Sequence, residues 1–330
     1  MPWDVQYRRG LWLPQTGWWL DAQFAVDRSF VSHAHSDHIA AHREVVCTAA
    51  TARLMQARRP GTRAEHLLPF GQPEQLTADT TVTLHPAGHI LGSAQCRLTH
   101  ERHGSLLYTG DFRLRPGAPA EPCATPRADV LIMETTFGLP RYVFPPPEQV
   151  IAAIAGFCRE ALDEGITPVL CAYSLGKSQE LLLGLAASQL PVMLHAQTFK
   201  MTRIHEELGL KLPSYRLFDA AAAAGHVVIC PPLSNRSSFF ESLPPHRTAA
   251  VTGWALDPGA VYRYRCDAIF PLSDHADFPD LLAFVDRVQP RLVYTVHGFA
   301  QEFARTLRAR GIEAWALGAE HQLDLGLGEG

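Results

Sequence analysis

The chain of 330 residues is 47% hydrophobic and 19% charged, enough apolar material for two domain-sized cores and too much for a disordered chain. A formal net charge of −4 excludes a protein that coats nucleic acid or anionic membrane by bulk positive charge, so a polyanion has to be gripped locally. Sixteen histidines stand beside only three lysines (Lys177, Lys200 and Lys211) among 29 basic residues, so imidazole and guanidinium carry most of the polar chemistry.

In chain order, the first third predicts short strands bounded by Gly, Pro, Asp or polar turns, at Trp18–Leu20, Phe30–Ser32, Val45–Thr48, His66–Phe70, Thr81–Pro86, Gln95–His100 and Ser105–Thr109. One helix interrupts them near Thr51–Arg58, and a Pro-rich connection from Arg115 leads to a buried-type strand at Asp129–Glu134. From about Leu139 the character changes. Val150, Ile151, Ile154, Phe157, Ala161 and Leu162 recur at helical spacing. A strand (Thr167–Ala172), a helix (Lys177–Ala187), a strand (Pro191–His195), a helix (Thr198–Leu208) and strands at Val227–Cys230 and Ala249–Thr252 follow. That alternation predicts a small parallel α/β unit. The tail predicts strands at Ala268–Pro271, Leu292–Val296 and Ala314–Leu317 with helices at Phe278–Val288 and Glu302–Arg310, and Ala220–Ala224 reads as helix or linker. Seven scattered cysteines without a Cys-x-x-Cys pair predict reduced thiols and a cytoplasmic protein. The first residues lack the apolar core of a signal peptide, and no apolar run reaches the roughly 18 residues of a membrane span, so no membrane association is expected.

The strongest local signal is Ser32-His33-Ala34-His35-Ser36-Asp37-His38. An extended backbone sends His33 and His35 to one side, while Asp37 and His38 approach from the turn that follows. Imidazoles with a nearby carboxylate–imidazole pair suit two neighbouring divalent ions, since zinc-like metals take three or four N/O ligands at about 2 Å. His89 lies between Gly88 and Gly92, where backbone can come close to a site, and Asp111 ends a strand where a carboxylate can bridge two cations. Ala172-Tyr173-Ser174-Leu175-Gly176-Lys177-Ser178 ends like a P-loop, but Cys171 stands where that motif requires glycine, which argues against a nucleotide-hydrolysing P-loop. A looser phosphate site from Ser174, Gly176 and Lys177 at the helix start remains, against a plainly capped helix. Arg113, Arg115, Arg263 and Arg265, with Lys200 and Arg203, are further phosphate candidates, and Trp18-Trp19 is either a base-stacking pair or a core-facing strand.

With these motifs the sequence resembles the metallo-β-lactamase superfamily, and within it the β-CASP nucleases of DNA repair and RNA processing. The resemblance rests on the histidine motif with Gly88-His89-Ile90-Leu91-Gly92-Ser93-Ala94, Glu134-Thr135-Thr136-Phe137-Gly138, Pro271-Leu272-Ser273-Asp274-His275-Ala276-Asp277-Phe278 and Val296-His297-Gly298-Phe299. It implies a metallo-β-lactamase αββα sandwich over 1–138 and 262–330, with an inserted β-CASP-like parallel α/β domain over 139–261.

Carried over by position, the resemblance implies one zinc or manganese ion held by His33, His35 and His89. A second would be held by Asp37, His38 and His297, with Asp111 bridging and Asp21 orienting the site from behind. It also implies that His275 lies near the scissile phosphate and that Glu134 belongs to the site. An imidazole suits protonation of a leaving oxygen, with Glu134 holding His275 or a water, while two cations lower the pKa of a shared water. The expected activity is a two-metal nuclease working with Asp37, His275 and Glu134. Single-stranded DNA is the favoured substrate, cut 5′-to-3′ in DNA repair beside DNA ligase or other repair proteins. RNA processing is the alternative. A small-molecule metallo-hydrolase and a binding protein with a dead site are the remaining readings; the long insert opposes the first and the complete ligand set opposes the second.

Overall fold

A computed structural model of the chain describes residues 3–233 and 237–318, so the ends of the expected first domain, 1–2 and 319–330, lie outside the described residues. The described chain divides into two compact units. One comprises the chain up to Val143 and from His275 onward, the other Phe144–Asp274. The second unit therefore runs past the expected boundary at 261, because strand Ala268–Phe270 pairs in parallel with His246–Val251 at the edge of that unit's sheet.

In the first unit two sheets face each other. One has the order Gln6–Tyr7, Leu11–Leu13, Trp18–Leu20, Arg28–Phe30, Glu44–Cys47 and Ala64–Leu67. The other runs Glu313–Ala316, Leu292–Val296, Val130–Glu134, Gly104–Tyr108, Ala94–His100, Thr80–Pro86 and Pro73–Thr77. The period of two along each strand sorts side chains to the two faces. Leu106, Tyr108, Val130 and Ile132 join Leu11, Leu13, Trp18, Leu20 and Phe30 between the sheets. Leu107, Leu131 and Met133 point the other way, onto the apolar stripes of helices Phe278–Val288 and Ala300–Ala309. Because both faces are covered, strand Val130–Glu134 is buried throughout and reads in sequence as an unbroken apolar run. Helix Ala49–Arg58, capped by the Thr48 hydroxyl accepting from the Thr51 amide, lies against strand Ala64–Leu67 and completes the αββα layers.

In the second unit six strands pair entirely in parallel, in the order Arg216–Leu217, Val192–Leu194, Val227–Cys230, Thr167–Cys171, His246–Val251 and Ala268–Phe270. Helix Pro147–Asp163 buries Val150, Ile154, Ala155, Cys158 and Ala161, the stripe that its spacing predicts. Helix Lys177–Gly184 is shorter than predicted, since its last turn tightens into a 3-10 turn at Leu185–Ser188. The strands Gln6–Tyr7, Leu11–Leu13, Pro73–Thr77 and Arg216–Leu217 and the helices Ser238–Ser242 and Ala260–Tyr264 are absent from the sequence reading, being too short to display a period. Ala220–Ala222 forms one 3-10 turn. All seven cysteines are free thiols. Among the described residues no helix is long and apolar enough to cross a membrane.

The aromatic pair Trp18-Trp19 is explained by packing. Trp18 belongs to the inter-sheet core, and Trp19 stacks at 5.1 Å on both Trp12 and Phe24. On the opposite face of the seven-stranded sheet, Phe284 is fully buried and meets Phe112, the neighbour of Asp111, at a centroid distance of 4.4 Å. Phe284→Ala should lower the unfolding free energy by about 3–5 kcal/mol in urea titration. A loss under roughly 1 kcal/mol, the usual range for surface changes, would contradict this packing role.

Candidate metal centre

Six of the candidate residues sit at or just beyond the carboxyl end of a strand of the first unit. Asp21 follows Trp18–Leu20, His33 follows Arg28–Phe30, His89 follows Thr80–Pro86, Asp111 follows Gly104–Tyr108, Glu134 ends Val130–Glu134 and His297 follows Leu292–Val296. Strands Trp18–Leu20 and Arg28–Phe30 run parallel, as do Gly104–Tyr108, Val130–Glu134 and Leu292–Val296, so these ends gather at one edge of each sheet. Gly110 lets the chain turn there. Its φ is +55°, and a Cβ at this position would lie 2.5 Å from the Ser32 Cβ.

The Asp21 carboxylate, itself at φ +47°, is the anchor. Its Oδ1 accepts from the Ser32 amide at 2.8 Å. Its Oδ2 accepts from the Ser32 hydroxyl at 2.5 Å, from His38 Nδ1 at 2.8 Å and from the Tyr108 hydroxyl at 2.9 Å. With the Ser32 proton committed to Asp21, the contact of Ser32 Oγ with His33 Nδ1 at 2.9 Å makes that ring nitrogen the donor. Both rings then turn Nε2 lone pairs toward the centre. The sequence reading assigns no role to Ser32, which stands inside the histidine motif, or to Tyr108, which stands inside a predicted strand; what gives them a role is their convergence on Asp21.

The inward atoms crowd one point. His33 Nε2 lies 3.0 Å from His35 Nδ1, which is 3.1 Å from His89 Nε2. Asp111 Oδ2 is 3.5 Å from His33 Nε2, 3.3 Å from His38 Nε2 and 3.9 Å from His89 Nε2. His33, His35, His89 and Asp111 form a set whose ligand atoms all fall within 4.8 Å of one another. Such separations fit donors about 2 Å from a common cation. Burial, aided by His38, His35 and His89, holds His33 well below the ordinary imidazole pKa, so it is neutral and ready to ligate. Burial opposes charge on His38, yet Asp111, Asp37 and Asp21 outweigh it and raise that pKa well above the ordinary value. A lone pair facing carboxylate oxygens calls for a cation, either a proton or a metal ion. Burial likewise opposes charge on Asp111, but His38, His275 and His33 hold its carboxyl well below the usual range. These donors fit a divalent metal ion.

Asp37 stands on the short turn Ser36–His38, with a side chain 65% exposed and Oδ2 3.5 Å from His38 Nε2. His297 has φ +59°, and its ring centroid is 6.0 Å from that of His38. The buried Glu134 carboxylate accepts from the amides of Phe112 at 3.2 Å and Thr136 at 3.0 Å. Its Oε1 meets His275 Nδ1 at 2.8 Å, and the His275 ring lies 4.7 Å from that of His89. Glu134 thus engages His275 through Nδ1.

The expected phosphate site is not formed in this geometry. Lys177 Nζ is buried, 3.0 Å from Asp274 Oδ1 and 3.8 Å from Glu180 Oε2. The Gly176 amide is taken by Gln179 Oε1 at 2.7 Å, and the Ser174 carbonyl accepts from Gln179 Nε2 at 3.0 Å. Gln179 therefore caps the helix and Lys177 turns inward, which is the capped-helix reading. Several candidate arginines are also engaged: Arg115 with Asp277 and Asp280, Arg263 with Asp257, Arg203 with Glu206, while Arg113 is buried.

Asp21→Asn keeps the shape of the anchor but not its charge, and should weaken zinc binding about 10–100-fold in chelator competition. Unchanged affinity would show that the Asp21 network does not orient the ligands.

The Zn-dependent metallo-hydrolase RNA specificity domain matches residues 264–317, which include the His275 and His297 motifs. A protein of Opitutus terrae named "Probable DNA ligase" is 65% identical over 99% of this chain and 32% of its own length. The protein named "5' exonuclease Apollo" from Gallus gallus is 30% identical over 79% of this chain and 56% of its own length. The chain thus spans about a third of the first relative and about half of the second. A solved structure of a protein of unknown function from Enterococcus faecalis shares the fold, with TM-score 0.60 and 16% identity over 89% of this chain and 80% of the other. Taken with the fold and the histidine–carboxylate centre, these relationships place the chain in the metallo-β-lactamase superfamily, in its β-CASP nuclease family.

Proposed function

We propose that the chain hydrolyses phosphodiester bonds in nucleic acid, and that its preferred substrate is single-stranded DNA cut from a 5′ end. The observation that carries this reading is the Glu134–His275 pair beside the His33, His35, His89 and Asp111 cluster, a proton-handling group next to a cation site. In this reading His33, His35 and His89 hold one ion and Asp37, His38 and His297 a second, with Asp111 shared. Bound zinc or manganese supplies Lewis acidity, acidifying water and neutralising charge on the phosphoryl oxygens. His275, whose Nδ1 is engaged by Glu134, offers Nε2 to the leaving oxygen as general acid. Asp21 holds the His38 ring so that only Nε2 faces inward.

Two relatives support the substrate choice. The name of the Opitutus terrae protein couples a matching segment to DNA joining, which supports action beside a DNA ligase during repair. The name of the Gallus gallus protein supports 5′ polarity. The RNA specificity domain matched at 264–317 favours RNA as a second reading.

End-labelled single-stranded DNA and RNA, incubated with the protein and Mn²⁺ or Zn²⁺, distinguish these readings. DNA should be shortened from its 5′ end faster than RNA, cleavage should stop on chelation, and Asp37→Ala should be inactive. Metal-dependent cleavage of neither substrate would remove the nuclease reading, and faster RNA cleavage would favour the second. His275→Ala should keep its metal and lose about 10²–10⁴-fold in cleavage rate. A near-normal rate in that variant would show that the general acid lies elsewhere.

A further inference from the structure

Four consecutive residues, 274–277, are each held by a different partner. His275 is bound to Glu134 at 2.8 Å. The Ala276 amide donates to the Phe112 carbonyl at 2.8 Å. Asp277 pairs with Arg115 and caps helix Phe278–Val288 by accepting from the Asp280 amide at 3.1 Å. These three restraints belong to the first unit. Asp274 is the last residue of the second unit, and there Lys177 Nζ lies 3.0 Å from its Oδ1. The chain passes from one unit to the other at the 274–275 peptide.

Lys177 is an unusual residue for its place. It opens helix Lys177–Gly184, its side chain is 2% exposed, and Leu181 and Leu182 of the same helix belong to the apolar core of the second unit. Buried lysine is rare because desolvation of the ammonium is costly, and an apolar pair of similar volume is commonly as stable as a buried ion pair. Stability alone therefore does not account for a charge pair here. What the pair supplies is a buried charge partner for the carboxylate one residue before His275, with Nζ 3.0 Å from Asp274 Oδ1.

We propose that Lys177 is a positioning residue: by holding Asp274 it sets the backbone that delivers His275. The proposal rests on the reading of His275 as general acid. Lys177→Met should lower kcat about 10–100-fold, the usual cost of losing an orienting partner, with KM for the labelled strand and bound metal unchanged. Lys177→Arg, which keeps the cation, should recover kcat to within about threefold of wild type. The double variant K177M/D274L replaces the pair with apolar groups; it should regain the melting temperature lost in K177M without regaining kcat. Hydrogen–deuterium exchange of amides 272–277 should rise in K177M and fall again in K177R, a readout independent of cleavage.

A kcat for K177M within twofold of wild type would overturn the proposal while leaving the general-acid reading intact. Recovery of kcat in step with melting temperature in the double variant would overturn it too, since the pair would then serve stability alone. If wild-type protein cleaves neither strand, the general-acid reading falls and exchange decides the positioning claim: unchanged exchange in K177M overturns it and raised exchange supports it.

Discussion

Four donors meet on the Asp21 carboxylate: the Ser32 amide and hydroxyl, His38 Nδ1 and the Tyr108 hydroxyl. Two of the elements concerned, strands Trp18–Leu20 and Gly104–Tyr108, belong to different sheets, so one buried carboxylate ties the sandwich together at the edge where the ligands gather. Charge-assisted hydrogen bonds of this kind are among the stronger polar contacts in a protein interior. Their effect here is chiefly directional. The bond to His38 Nδ1 leaves the Nε2 lone pair of that ring toward the centre.

The remaining features serve this arrangement or compete with it. Gly110 permits the approach of the Asp111 loop to Ser32, the residue that also touches Asp21 and His33. Phe112 presses on Phe284, so the carboxylate that would be shared by two ions is backed by a packed aromatic contact. Three carboxylates, Asp111, Asp37 and Asp21, surround His38 and raise its pKa well above the ordinary value despite its burial. Divalent ions held at the centre would supply a local positive field that the formal net charge of −4 does not.

Much of the candidate site was legible because its ligand types are chemically rare in such density. His33, His35, Asp37 and His38 fill four of six consecutive positions, and few other demands call for that composition. His89 and Asp111 gained meaning only from their order behind this motif. The phosphate expectation at Ser174, Gly176 and Lys177 shows the opposite situation. A lysine after glycine at a helix start looks identical in sequence whether it points to solvent or inward, and here Asp274, 97 positions away, together with the Gln179 cap, decides it.

By itself the sequence determined the element types and the metal-ligand chemistry, because periodicity and residue identity are local properties. Edge strands such as Gln6–Tyr7 and Pro73–Thr77 escaped it, since they have no buried residue to mark a face and owe their form to a partner strand. Tertiary structure decided which nitrogen of each imidazole faces inward, where the second unit ends, and whether Lys177 meets a ligand or Asp274. Those outcomes depend on groups distant in sequence that become neighbours only when the strand ends converge.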